Sequence, residues 1–353
     1  MSRFFKKNST SEYEPGKLIS TRFTQHPQWD KNPLHIICDI DKTWLETRFE
    51  SIFGLAKIAF EKAQDKTTVE GASEVLSAIR WGDESLSQNE PHPLHFVSSS
   101  PPQLRAVLEE KMALDCLDWT SDTFKDQSYN VKKGRWDLLT QQIPYKSIAI
   151  LSLLKQMQNS PNLIFLGDNA EADPFIYLGI YLLLEKKINP EGFVQYLKIM
   201  GIDDLTADKI APYTEIPNPP KVALLGIRNL DLSPQVLMEP LTDPIFWFQD
   251  YFELSVKVAS LNYMTIAQLH KLSLIFHNNY GFTPQRLVHT YKRFGNNLKD
   301  DTRYTQSIER LEKLTHENEN VTPYKKDLST FHSLRQDDIL KLASSWHERL
   351  HCL

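Results

Sequence analysis

Four short apolar runs alternate with longer segments of helical periodicity through the first two thirds of the chain. The runs cover residues 34–38, 94–97, 162–166 and 221–225, and turn-forming or polar residues bound each of them. Short runs that are apolar throughout, and that are separated by helices, are typical of parallel strands buried on both faces. The sequence therefore predicts an α/β fold with a Rossmann-like parallel sheet and helices on both faces.

Helix signals fall between these runs and after them. Capping residues and apolar periodicity predict helices at residues 100–112, 146–157, 173–187, 265–276, 283–294 and 337–350. No strand pattern is evident after about residue 230. We therefore expect three parts: an extended or poorly ordered segment 1–33, an α/β domain 34–230 and a helical C-terminal region 231–353.

Charge and cysteine content exclude several classes of protein. The chain has 40 Lys and Arg against 45 Asp and Glu, a net charge of -5, so no overall positive field would gather nucleic acid or an anionic membrane. Three cysteines cannot all pair, and Cys38 lies in an apolar run, which favours buried free thiols in the reducing cytoplasm. The polar start and the absence of a long apolar stretch predict neither an export signal nor a transmembrane helix.

Two carboxylates follow the first predicted strand. Asp39 and Asp41 stand two residues apart, and because strand residues alternate between faces, both side chains leave on one side. Ligand sites in open α/β sheets lie at this carboxyl edge. Two like charges so close repel each other unless a cation or a shared proton offsets them. Alone, such a pair is more often a capped turn than a site.

The other predicted strands end in groups that complement this pair. Ser98 follows the second strand, and Asp168 and Asp173 follow the third. Lys146 opens the helix predicted before the third strand. Because parallel strands share one carboxyl edge, this order would gather a nucleophile, a proton carrier, a hydroxyl, a cation and further carboxylates at one place. The whole set favours a catalytic site.

These motifs resemble the haloacid dehalogenase superfamily of phosphatases and, within it, the catalytic domain of the actin-patch phosphatidate phosphatase family. The resemblance runs from residue 34 to residue 230 and rests on the segments 39–43 (DIDKT), 68–71 (TVEG), 96–101 (FVSSSP), 125–126 (KD), 167–174 (GDNAEADP) and 226–228 (GIR). Lys42, Pro102 and Tyr145 stand where the family usually has Asp, an aromatic residue and His. These departures leave the core site intact and bear on substrate preference.

The resemblance implies an enzyme that hydrolyses phosphate monoesters through an aspartyl-phosphate intermediate. Asp39 would be the nucleophile, and Asp41 would first protonate the leaving group and then activate water. Ser98 would hydrogen-bond a phosphoryl oxygen, and Lys146 would neutralise phosphoryl charge. Because a lysine at a helix start is usually solvated, Lys125 is the alternative catalytic lysine.

The same resemblance implies a Mg²⁺ ion and no other cofactor. Asp39, the backbone carbonyl of Asp41 and Asp168 would supply the hard oxygen ligands that Mg²⁺ prefers, and Asp173 would steady them. Phosphatidate or a related lipid phosphate is the substrate that the family favours. A soluble or nucleic-acid phosphate ester is the alternative substrate, although no nucleic-acid binding is expected from the charge.

The chain between Thr43 and Leu94, where the superfamily inserts its lid, is long enough only for a small cap or none. Such a site would be open to phosphates on large or membrane-embedded molecules. The apolar residues near the motifs would touch a lipid or pack in the core, and they are Trp44, Phe49, Phe53, Pro101, Pro102 and Phe175. Peripheral contact with a membrane is a hypothesis that follows from this openness.

Other patterns suggest different functions. Residues 41–43 begin like the phosphorylation signature of ion-pumping ATPases, in which Asp41 would be the nucleophile, but residues 44 and 45 break it. His347, His351 and Cys352 have the spacing of a metal clamp, although the end of a helix is the simpler interpretation. The helices predicted at 265–294 could imitate a DNA-binding helix-turn-helix, but a packing module fits better. A further hypothesis is an interaction or effector protein whose C-terminal helices bind a protein partner.

Overall fold

The computed structural model describes residues 19–24, 28–47, 62–82, 91–126, 142–230 and 244–317. A seven-stranded sheet in the order β1-β4-β3-β2-β5-β6-β7 runs through this part of the chain. The strands are β1 (Ile19–Phe23), β2 (Leu34–Cys38), β3 (Leu94–Ser98), β4 (Ser121–Lys125), β5 (Asn162–Asp168), β6 (Lys221–Arg228) and β7 (Ile245–Phe248). Only β1 pairs antiparallel to its neighbour. The predicted α/β fold with a Rossmann-like parallel sheet is confirmed.

Helices of the described residues connect the strands and follow them. They are α1 (Ala72–Trp81), α2 (Arg105–Leu114), α3 (Ile143–Leu154), α4 (Asp173–Leu184), α5 (Pro190–Ile199), α6 (Asp204–Ile210), α7 (Tyr251–Ser260), α8 (Ile266–Tyr280), α9 (Pro284–Phe294) and α10 (Thr302–Glu317). Thr283 caps α9 by accepting from the backbone of Arg286, as the sequence predicts. No helix in the described ranges is both long and apolar enough to cross a membrane.

The sheet carries a separate apolar core on each face. Ile37 and Phe165 belong to the core that α3 to α6 cover. Ile36 and Ile164 belong to the opposite core, which α1, α2 and α7 to α10 cover. Because neighbouring residues of a strand point to opposite faces, each strand serves both cores with alternate residues. This double burial explains why β2, β3 and β5 are mostly apolar, without the alternation of apolar and polar residues that a half-exposed strand shows.

The sheet continues beyond residue 230, where the sequence predicts only helices. β7 pairs parallel to β6, and Phe248 at its end is fully buried. α7 follows at once and places Phe252, Leu254 and Val256 in the core on one face of the sheet. The expectation that strands end near residue 230 is therefore wrong. A strand of four residues gives too short an alternation to be recognised.

Several other elements lie in segments for which the sequence predicted something different or nothing at all. β1 lies in the segment expected to be extended, and β4 joins the sheet although its sequence, SDTFK, contains no apolar run. α1 lies in the segment where a small cap is expected, but it packs its buried residues into the core. Cys38 is buried as expected, whereas Cys116 is exposed. Phe49, Phe53, the helix at 337–350 and the group His347, His351 and Cys352 lie outside the described residues.

Candidate active site

The loop after β2 carries the first two acidic residues. The backbone N–H of Asp39 donates to the carbonyl of Leu166 at 2.9 Å and so extends the pairing of β2 with β5 by one residue. Lys42 takes a φ of +57°, a left-handed conformation that costs a lysine about 1 kcal/mol. Arg228, at the end of β6, donates to the Lys42 carbonyl at 2.6 Å. The turn is therefore held from a neighbouring strand.

Lys146 joins two carboxylates, one that follows β2 and one at the start of α4. It lies in the first turn of α3 and its side chain is completely buried. Its Nζ donates to Asp39 Oδ1 at 2.8 Å and to Asp173 Oδ1 at 2.6 Å, and it lies 3.5 Å from Glu171 Oε2. A buried ammonium is stable only among such partners. Lys146 is therefore the lysine that contacts the first acid of the loop.

Lys125, the alternative lysine, lies at the end of β4 on the same edge of the sheet. Its ammonium group is 6.0 Å from the centre of the Tyr145 ring, and burial lowers its pKa to about 8. The Tyr145 hydroxyl donates to the carbonyl of Ser98 at 3.0 Å. Tyr145, which departs from the family pattern, thus supports the loop that follows β3.

The end of β5 supplies Asp168, and the start of α4 supplies Asp173. The Ala170 backbone donates to Asp168 Oδ1 at 2.6 Å, and Thr43 donates to Asp168 Oδ2 at 3.4 Å. A Cβ atom on Gly167 would lie only 2.6 Å from Asp173 Oδ2. Because real Cβ contacts are never so short, only glycine lets the helix start pack this closely on the strand.

Three of the predicted acids form a compact group. One carboxylate oxygen from each of Asp39, Asp168 and Asp173 lies within 4.8 Å of the other two. Asp39 Oδ2 and Asp173 Oδ2 are buried and have no hydrogen-bond partner among the described residues. Buried carboxylate oxygens normally have a partner. Hard oxygen atoms with unused lone pairs are suitable ligands for a divalent cation, so these residues fit a Mg²⁺ site.

The pKa values of these residues reflect a surplus of negative charge in the group. Burial and the neighbouring charges of Asp173 and Glu171 raise the pKa of Asp168 to about 7. Burial likewise raises the pKa of Asp173 to about 6, against the opposing charge of Lys146. Burial would lower the pKa of Lys146, but the charges of Asp173, Asp39 and Glu171 outweigh it and hold this pKa well above its ordinary value.

Two serines hold Asp41. Ser98 and Ser100 donate to the same oxygen, Oδ2, at 3.1 and 2.9 Å. Burial, followed by the charge of Glu171, raises the pKa of Asp41, while both serine hydrogen bonds act to lower it. The predicted contact of Ser98 with a phosphoryl oxygen stays a prediction, since its hydroxyl proton is directed at Asp41 here.

Two residues of this site are absent from the sequence-based set. Ser100 is the third serine of a run of three, and only its spacing of two from Ser98 on an extended segment could have indicated a shared direction. Glu171 lies between Asp168 and Asp173 and contacts Lys146. The predicted residues Asp39, Asp41, Ser98, Lys146, Asp168 and Asp173 all lie at one edge of one sheet.

The comparison with protein families agrees with this geometry. Residues 34–190 match the family model described as phosphatidate phosphatase APP1, catalytic domain. The match spans β2 to the end of α4 and includes every predicted site residue. No curated protein and no solved structure matched the chain. Residues 34–190 are therefore similar to the phosphatidate phosphatase APP1 catalytic domain, and the proteins of that family are phosphoric monoester hydrolases of the haloacid dehalogenase superfamily.

Proposed function

We propose that this protein is a Mg²⁺-dependent phosphatidate phosphatase that works through an aspartyl-phosphate intermediate on Asp39. The observation that carries the proposal is the pair of contacts from Lys146 to Asp39 and Asp173, at 2.8 and 2.6 Å. They join the loop after β2, α3 and the start of α4 at the carboxyl edge of the sheet, where ligands bind in folds of this type.

The contacts of the Asp39 carboxylate support its proposed role as the nucleophile. Lys146 holds its Oδ1, and its Oδ2 has no hydrogen-bond partner among the described residues. A carboxylate fixed by one oxygen keeps its orientation while the group attacks phosphorus. The attack forms the bond from Asp39 to phosphorus and breaks the ester bond, whose electron pair stays on the leaving oxygen.

Asp41 carries the proton in both halves of the reaction. It would donate a proton to the leaving alkoxide and then take a proton from the water that attacks the aspartyl-phosphate. Burial raises the pKa of Asp41, which favours the protonated form that the first step needs. Inorganic phosphate and free Asp39 are the products of the second half.

Asp39, the backbone carbonyl of Asp41, Asp168 and Asp173 would hold Mg²⁺. When bound, the ion would neutralise charge on the phosphoryl oxygens. The acids around the site are Asp39, Asp41, Asp168, Glu171 and Asp173, and Lys146 is the cation in contact with three of them. Such an excess of carboxylates repels an anionic substrate unless a cation offsets it.

A lipid phosphate is the proposed substrate because the matched family acts on phosphatidate. Trp44 does not contribute a lipid contact, since it is completely buried and its indole N–H donates to Ser73 at 2.9 Å. Pro101, Pro102 and Phe175 are only partly buried and lie next to site residues. They are the better candidates for contact with an acyl chain or a membrane surface.

The test is phosphate release from phosphatidate in mixed micelles, with Mg²⁺ and with a chelator. We expect turnover by the wild type with Mg²⁺ and loss of essentially all turnover in Asp39→Asn, because an amide does not attack phosphorus. Asp208→Asn is the matched control, since Asp208 is an exposed acid on α6. Phosphatidate turnover by Asp39→Asn at the wild-type rate, or a preference for soluble sugar phosphates, would overturn the proposal.

A further inference from the structure

One oxygen of the Asp41 carboxyl group accepts both of the hydrogen bonds that serines donate to it. Ser98 Oγ and Ser100 Oγ both donate to Oδ2, at 3.1 and 2.9 Å. No hydrogen bond between described residues involves the other oxygen, Oδ1. A carboxyl oxygen has about two lone pairs in its plane, so two donors fill the acceptor capacity of Oδ2.

The serine pair is itself fixed by the backbone. The N–H of Ser100 donates to Ser98 Oγ at 3.0 Å, so the Ser98 hydroxyl accepts one hydrogen bond from the loop and donates another to Asp41. The Lys125 N–H in turn donates to the carbonyl of Ser100 at 3.1 Å. The side chain of Ser100 is 6% exposed. Its position is therefore set by β4 as well as by the loop that follows β3.

This geometry has a chemical consequence for a general acid. The proton of a neutral carboxyl group sits on one oxygen, and an oxygen already accepting two hydrogen bonds is a poor place for it. The proton that Asp41 transfers must then be carried by Oδ1. A proton donor acts only when it lies within hydrogen-bond reach of the atom it protonates, so this choice of oxygen has a direct effect on rate.

We propose that Ser100 is a positioning residue that, with Ser98, holds Asp41 by Oδ2 and presents Oδ1 to the leaving oxygen of the substrate. The inference rests on the proposed function, because it assigns Asp41 the role of general acid. In the step concerned, Asp39 bonds to phosphorus, the ester bond breaks, its electron pair goes to the leaving oxygen, and this oxygen takes the proton from Asp41 Oδ1.

The dependence of kcat on the leaving group distinguishes a misplaced general acid from a general disturbance of the active site. A leaving oxygen of high basicity, such as the alkoxide of phosphatidate, needs its proton in the transition state, whereas p-nitrophenolate departs without one. We expect Ser100→Ala to lower kcat on phosphatidate roughly 10-fold, in line with the loss of one hydrogen bond to a neutral carboxyl group. On p-nitrophenyl phosphate kcat should change less than about 2-fold, and Ser100→Thr should restore the wild-type ratio.

A series of substituted phenyl phosphates makes the test quantitative. In Ser100→Ala, the plot of log kcat/KM against leaving-group pKa should be steeper than in the wild type. Ser255→Ala removes a completely buried hydroxyl that bonds to the Phe252 carbonyl outside the site, and it should keep the wild-type slope. Where Ser100→Ala is not obtained folded, Ser100→Gly removes the same hydroxyl.

An equal loss with every leaving group, or no loss at all, would overturn the role of Ser100. These outcomes differ from failure of the proposed function, which would appear as a wild type without phosphatidate turnover or as an active Asp39→Asn. The unfolding midpoint of each variant is also measured, so that the slopes of log kcat/KM against leaving-group pKa are compared only between fully folded proteins.

Discussion

The ammonium group of Lys146 lies 2.8 Å from Asp39 Oδ1, although the two residues are 107 positions apart in the chain. Both side chains are fully buried, and the same ammonium also contacts Asp173. Each acid alone would be costly to bury, and so would the lysine. The three are stable together because each charge faces an opposite one, and the resulting cluster is fixed at the edge of the sheet.

Replacing this lysine should damage both stability and turnover. Lys146→Met leaves Asp39 and Asp173 buried without their cation, and we expect the free energy of unfolding to fall by about 3–5 kcal/mol. Turnover should fall roughly 10²- to 10³-fold, as when one preorganised donor is removed from an active site. Urea unfolding and phosphate release measure the two effects.

Lys125→Met is the matched control for that variant, because it also removes a buried ammonium from the same edge of the sheet. It should retain turnover within about 10-fold of the wild type, since Lys146 keeps its contact with Asp39. Equal losses of turnover in the two variants would contradict the assignment of Lys146 as the catalytic lysine.

Much of the site was predictable because its residues stand at strand ends. Asp39, Ser98 and Asp168 follow apolar runs, and in a parallel sheet all such ends meet at one edge. β4 was not predictable in this way, because most of its residues are polar and are buried only through contacts with residues on other elements. Asp122 on β4, for example, pairs with Arg105 of α2 at 2.6 Å, a contact that no local pattern indicates.

The burial of charged side chains was the feature that the sequence predicted least well. A lysine in the first turn of a helix is usually solvated, and only the positions of Asp39 and Asp173 show why Lys146 is completely buried. The role of Ser100 depends on a hydrogen bond to a residue 59 positions away. Such contacts are set by the packing of β2 against β3, which sequence patterns define only in outline.

Acid should destabilise the protein through a buried pair of histidines on the adjacent strands β2 and β3. His35 Nδ1 and His95 Nε2 lie 3.1 Å apart, and burial lowers the pKa of His35 to about 3 and that of His95 well below its ordinary value. The folded state thus keeps both rings neutral, while the unfolded chain binds protons below about pH 6.5. Stability from this pair is full above pH 6.5 and is lost as the pH falls towards 3.

His35→Asn tests this linkage, because asparagine keeps a polar group near the position of Nδ1 and does not titrate. Between pH 6.5 and 4, the free energy of unfolding should depend on pH less steeply than in the wild type, by up to about 1.4 kcal/mol per pH unit. The raised pKa of Asp168 and Asp173 acts in the opposite direction, but it is common to both proteins and cancels in the difference. Identical slopes would refute the role of His35.

Mg²⁺ should stabilise the folded protein. A cation that binds the folded state alone raises the unfolding midpoint, because it adds about 2.7 kcal/mol to the free energy of unfolding when its concentration is 100 times Kd. Asp168→Asn should abolish this shift. Without metal the same variant should be at least as stable as the wild type, because it removes one of the like charges around Asp39 and Asp173. Thermal unfolding with and without Mg²⁺ measures both effects, and a full Mg²⁺ shift in Asp168→Asn would exclude Asp168 as a ligand.

The helices after residue 243 should be required for folding of the phosphatase domain. β7 extends the sheet, α7 to α10 supply much of the core on one face, and the Tyr251 hydroxyl donates to the Thr43 carbonyl at 2.9 Å in the loop that follows Asp41. A chain that ends at residue 243 exposes to water the part of that face that α7 to α10 cover, and the free energy lost with this apolar burial is far larger than the usual stability of a domain.

We therefore expect a chain of residues 1–243 to be insoluble or unfolded by circular dichroism, and inactive for that reason. A chain of residues 1–317 keeps all described contacts and should retain a cooperative thermal transition and phosphate release. A folded, active 1–243 chain would show that the C-terminal helices form a separate module after all. Because truncation within the core unfolds the enzyme, point variants on exposed positions of α8 to α10 are the proper way to look for a protein partner of this region.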